Sequence, residues 1–143
     1  ATALAEEFGN EVEDKIVRAD GGIGGPEGAQ AAMTTVLESH PQAQRIAVTS
    51  INEESMQGAV DALQASERWK RDALIVITLG VDDLGKQQIR EGLSDAGVAF
   101  FPERYGEYLI PAACAILQGA PVPSHMYVEN EIITRTNIDQ FYP

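Results

Sequence analysis

The order of apolar and polar residues predicts an α/β fold, a three-layer arrangement in which a parallel sheet is flanked by helices. Three observations carry that prediction. Short β-branched runs alternate with longer segments whose apolar residues recur every three or four positions. The connections between them are short, and a strand-helix-strand crossover returns over one face of a parallel sheet with a fixed hand. The run Ala73 to Leu79 is apolar at both alternating sets of positions, as a strand covered on both faces requires. At 143 residues, 44% of them apolar, the chain suits one domain, 1–143, able to bury its own core.

The elements follow in order. A short helix is predicted over Ala3 to Phe8. Lys15 to Ala19 reads as the first strand, stopped by Asp20-Gly21-Gly22. The glycine-rich stretch to Gly25 leads into Pro26, a favoured first helical residue, and then to Ala29, Ala32, Met33, Val36 and Leu37 on one face. His40-Pro41 ends that helix, because a residue before proline is driven out of the helical region. Arg45 to Thr49 is the next strand, Ser50-Ile51-Asn52 its turn, and Met56, Ala59, Val60 and Leu63 the buried stripe of a helix capped by Asn52. The strand Ala73 to Leu79 leads through Gly80-Val81-Asp82-Asp83 to a helix bearing Leu84, Ile89 and Leu93. Val98 to Phe101 is a fourth strand, and a helix from Arg104 to Gln118, kinked by Pro111, stops at Gly119 and Pro121. Met126 to Thr134 is extended and leads to an acidic, aromatic end.

Charge and composition narrow the function. Twenty-two acidic against 10 basic side chains leave a net charge of -12, which opposes nucleic acid and anionic membrane surfaces as partners. The single Cys114 excludes an internal disulfide framework and a cysteine-rich zinc site, and on its helix it reads as a buried, inert thiol. The longest apolar runs fall short of the about 20 residues that cross a bilayer. The sequence opens at Ala1 without an initiator Met or a secretion signal, as a processed or truncated chain would.

Catalytic chemistry finds no constellation here. His40 and His125 lie near element ends, without the spacing of a metal site or a nucleophile relay, and read as surface residues. The cluster from Gly21 to Gly28 follows a predicted strand, but it has no G-x-G-x-x-G register and no Gly-Lys-Ser/Thr, and Glu27 opposes a phosphate at the helix start. It reads as a flexible turn, and no cofactor is expected. Asp82 and Asp83 could also suggest a receiver or, with Asp20, a metal pocket, but a receiver needs a carboxylate pair at the end of the first strand and a lysine past a later one, and no lysine stands there. What stands out is one short polar residue just past each of three successive strands: Asp20, Asn52 and Asp82. In open parallel sheets ligands bind at the carboxyl ends of the strands. Neutral polyols suit carboxylate and amide groups that hold adjacent hydroxyls, with aromatic faces over their C–H patches. Each residue also has a purely structural role open to it: Asn52 can cap its helix, and Asp82 and Asp83 favour a helix start.

The stretch Val36 to Pro41, the strand and turn to Asn52-Glu53, and the helix with Gly58-Ala59-Val60-Asp61-Ala62-Leu63 resemble periplasmic sugar-binding proteins of the ribose-binding type. Gly80-Val81-Asp82 resembles that family's Gly-Phe-Asp, and Pro102 to Gly106 its Pro-x-x-x-Gly before the last long helix. Gly119 to Pro123 and the tail from Thr134 to Tyr142 also fit, so the resemblance runs over residues 26 to 143. It implies most of one lobe, the C-terminal one, of a two-lobed type I binding protein. It also implies a non-catalytic, extracytoplasmic component of an ABC importer, with a carbohydrate ligand and a membrane permease as partners. The ligand-binding residues expected on this basis are Asn52, Asp82, Ser50, Asp20 and Phe100. Phe100-Phe101 stands where many relatives carry glutamine, and so offers a stacking face in place of a polar contact. The effector domain of lactose-repressor-type regulators shares the fold and is the alternative, distinguished by a helix-turn-helix upstream of Ala1. Pairing of two copies of the chain over apolar surface left by an absent lobe is a further expectation.

Overall fold

The computed structural model describes residues 6–7, 9–66 and 70–143. Five helices and four strands organise them: α1 (Pro26–Ser39), β1 (Ile46–Thr49), α2 (Glu53–Ala65), β2 (Leu74–Gly80), α3 (Asp83–Glu91), β3 (Ala96–Ala99), α4 (Tyr105–Leu117), β4 (Glu131–Thr134) and the single turn α5 (Ile138–Phe141). The strands lie in the order β1-β2-β3-β4. The first three are parallel, with Ile46 opposite Leu74 and Ile77 opposite Ala96. β4 runs antiparallel to β3, Val98 facing Ile132. The α/β class therefore holds, with a mixed sheet in place of a wholly parallel one.

Local chemistry explains the helix boundaries. α1 starts at Pro26, whose missing N–H costs nothing at a helix start. α3 stops at Gly92, which adopts the left-handed conformation at φ 76°. α2 and α1 pack closely because position 58 is glycine: a Cβ there would lie 2.9 Å from the Gln30 nitrogen and 2.8 Å from the Pro26 carbonyl carbon. Met33 and Leu37 of α1, Met56, Val60 and Leu63 of α2, and Leu74 and Val76 of β2 form one core cluster on one face of the sheet. A second joins Val81, Ile89, Ala99, Ile133 and Ile138, with Phe101 and Tyr142 against it. The opposite face of the sheet leaves Ile75 54% and Ile132 62% exposed.

Four expectations are corrected or fall outside the description. The strand expected over Lys15 to Ala19 does not form; a 3-10 turn over Asn10–Lys15 runs into the segment, and Val17 stays exposed, so it lacks the apolar partner surface that would hold it in the sheet. Asp20 therefore does not end a strand. Cys114 is exposed, because α4 buries none of its residues and leaves Ile110, Ile116 and Leu117 open. The helix expected over Ala3 to Phe8 lies largely outside the described residues. Of the remaining elements, the third strand and the helix at Pro111 fall within a residue or two of where their patterns predict, and among the described residues no helix is long and apolar enough to cross a membrane.

Candidate functional site

Asn52 and Asp82 follow neighbouring parallel strands, β1 and β2, and so stand on one edge of the sheet. Each is the N-cap of the next helix. Asn52 Oδ1 accepts from the Ser55 N–H at 2.9 Å, and Asp82 Oδ1 accepts from the Gly85 N–H at 2.9 Å. Such caps satisfy backbone donors that a helix leaves unpaired. The Asn52 amide also donates to the Gly24 carbonyl at 3.1 Å, and Ser55 Oγ donates to the same oxygen at 2.9 Å. This brings the glycine-rich loop against the start of α2. Ser50 Oγ donates to the Asn52 carbonyl at 2.7 Å and shapes the turn. Asn52 and Ser50 are half-buried and Asp82 is exposed, so all three remain open to solvent.

Asp20 and Phe100 are placed differently. Asp20 is exposed and accepts the Gly22 N–H at 2.8 Å, a local turn within the loop that reaches Asn52 only at Gly24. Phe100 follows β3 and lines a shallow, open cleft with Phe101, Arg104, Tyr105 and Tyr108, apart from the turns that carry Asn52 and Asp82. Phe101, at φ 50°, turns its ring toward Phe141 and Tyr142, at centroid distances of 5.9 and 6.0 Å. It thus belongs to the second core cluster.

The sequence pattern did not single out Glu53. It is 3% exposed, and its Oε1 accepts the N–H of Val81, which belongs to the next strand-end loop. Burial raises its pKa above the ordinary 4.5; the Val81 amide opposes that shift, and the Asp82 charge adds to it. Its only sequence signal is an acid at the first position of a helix, which usually means a favourable dipole contact and nothing more. Glu53, Glu54 and Asp82 bring carboxylate oxygens within 4.8 Å of one another, the one grouping with metal-ligand spacing found among the described residues. Glu53 and Asp82 already accept backbone amides, as loop-binding carboxylates do.

The arrangement is a rim of short polar side chains at the carboxyl ends of parallel strands, the position at which α/β sheets take small ligands. The family model described as "Periplasmic binding protein domain" matches residues 3–121, and the chain belongs to that family. The family description places it among periplasmic binding proteins. No curated protein matches the sequence.

Solved structures show the same fold. The binding protein of the arabinose ABC transporter from Shewanella sp. ANA-3, bound to α- and β-L-arabinofuranose, matches with a TM-score of 0.74 at 20% identity, over 98% of this chain and 48% of that one. A solute-binding protein from Actinobacillus succinogenes 130z with bound D-allose gives 0.71 at 17% identity, over 82% of this chain and 40% of that one. A Mycobacterium smegmatis protein in complex with β-D-fucofuranose gives 0.71 at 22% identity, over 82% and 38%. The chain thus spans less than half the length of these structures.

Proposed function

We propose that this chain is the C-terminal lobe of a two-lobed periplasmic sugar-binding protein of the ribose-binding type, serving an ABC importer. The observation that carries this reading is the pairing of Asn52 and Asp82 as helix caps on adjacent strand ends, where each also faces solvent. A carboxylate accepts two hydroxyl protons, and an amide both donates and accepts, so together they match vicinal hydroxyls of an uncharged sugar. Ser50 lies beside them on the same turn. Asp20 and Phe100 belong to the rim only if the second lobe completes it. Sugar-bound relatives with this fold support a carbohydrate as the ligand class.

In the whole protein the ligand bridges both lobes and favours the closed state by its greater affinity for it, and the permease reads that closure. Calorimetric titration of the whole protein with L-arabinose, D-allose and D-fucose tests the reading. Asp82→Ala is expected to weaken binding by about 2 to 3 kcal/mol, or roughly 30- to 150-fold, because a sugar hydroxyl loses a charged acceptor. Asp82→Asn keeps the cap and loses only the charge, which separates binding from folding. An unchanged dissociation constant in both variants removes Asp82 from the site.

A further inference from the structure

A carboxylate buried to 3% exposure one residue from a candidate ligand contact needs a physical reason, since isolating such a group from water is costly unless it is hydrogen-bonded. Its bonding supplies the reason. Glu53 starts α2, on the β1 side of the rim, yet its Oε1 accepts the Val81 N–H in the loop after β2. That loop has an unusual backbone: Gly80 lies at φ 128° and Val81, a β-branched residue, at φ 61°. A positive φ is unfavourable for valine and persists only where surrounding contacts enforce it.

The space around the carboxylate is shaped to admit it. A Cβ at Gly85 would lie 2.7 Å from Glu53 Oε1 and 2.8 Å from its Cγ, and one at Gly80 would lie 2.9 Å from Oε2. Gly80, just before the Val81-Asp82 turn, and Gly85, in the first turn of α3, therefore both stand against the same carboxylate. A second tie runs parallel to the first: Gln88 Nε2 of α3 donates to the Glu53 carbonyl at 3.3 Å and to Gln57 Oε1 at 3.1 Å. Both ties join the start of α2, which follows Asn52, to the segment that carries Asp82.

We propose that Glu53 is the positioning residue for Asp82: its buried carboxylate clamps the Gly80-Val81-Asp82 turn onto the start of α2, so that Asn52 and Asp82 present their polar groups as one rigid rim. This rests on the sugar-binding reading for its consequence, though not for its geometry. Glutamate has the reach for this clamp, and aspartate is one methylene too short. Glutamine has the same length and keeps an oxygen that accepts the Val81 amide.

The test is a double-mutant cycle in the whole protein, read by calorimetry with L-arabinose, D-allose and D-fucose as probes. Glu53→Ala is expected to weaken binding at least tenfold, and Glu53→Gln to restore affinity to within about threefold of the parent. On an Asp82→Ala background, Glu53→Ala is expected to change affinity less than twofold, because a residue acting through Asp82 has nothing left to position. Equal losses on both backgrounds, or a Gln variant no better than Ala, overturn the proposal. If none of the probes binds the parent, the sugar reading fails on its own and amide hydrogen exchange decides the clamp. Val81 exchange is then expected to rise at least tenfold more than that of Val60 in Glu53→Ala and not in Glu53→Gln; an equal rise at both amides, or none, overturns it.

Discussion

Asn52 holds two structural bonds at once, the cap on α2 and the link to Gly24, and its side chain is still half-exposed on the rim. Asn52→Ala is expected to lower stability by about 1 kcal/mol through the lost cap, with a further loss from the Gly24 link. Urea denaturation measures this, and Asn52→Asp, which keeps the acceptor and removes the donor, isolates the second part. Glu53 makes its own prediction with pH. Because the folded carboxyl holds its proton to higher pH than the unfolded one, the stability tied to it is full below 4.5 and is lost as pH rises through the folded value. The carboxylates of Asp82 and Glu54 face it. Denaturation midpoints measured upward from pH 4.5 should fall less steeply in Glu53→Gln than in the parent; parallel curves would show that burial of the charge carries no penalty. Asn52 and Asp82 were legible in the sequence because each follows a strand and precedes a helix. Glu53 was not, because its partner is an amide 28 positions away.

At the scale of elements, the pair α1 and α2 has little room to change. Gly58→Ala forces a Cβ within 2.8 Å of the Pro26 carbonyl carbon, against backbone atoms that have no rotamer to escape into. A loss of about 1 to 3 kcal/mol is expected, readable as a lower melting temperature, whereas an exposed helical glycine would gain from alanine. The helices and the central strands were readable because their periodicity and caps are local. Two elements were not. Lys15 to Ala19 have strand-like composition, but strand formation needs a neighbour to pair with, and no described strand pairs with them. The final turn α5 is held by contacts from afar: Arg90 donates to Asp139 Oδ1 at 3.0 Å and to the Tyr142 carbonyl at 2.6 Å, and the Lys86 ammonium sits 4.6 Å from the Tyr142 ring centroid.

For the whole molecule, the rim occupies one edge of one lobe, so a sugar resting on it would keep much of its surface in water. This chain alone is expected to bind L-arabinose, D-allose or D-fucose at least a hundredfold more weakly than the proposed two-lobed protein. A calorimetric titration giving equal affinities would show that the second lobe is not needed. Chemistry that depends only on neighbours in the chain was determined by the sequence itself: the alternation of strands and helices, the caps at Asn52 and Asp82, the acidic charge and the absence of a membrane-length apolar run. Tertiary structure alone decided that β4 runs antiparallel, that the first predicted strand stays out of the sheet, and that Glu53 is buried against Val81. Pairing and burial are properties of groups brought together from distant positions, and a one-dimensional pattern contains the groups without the distances between them.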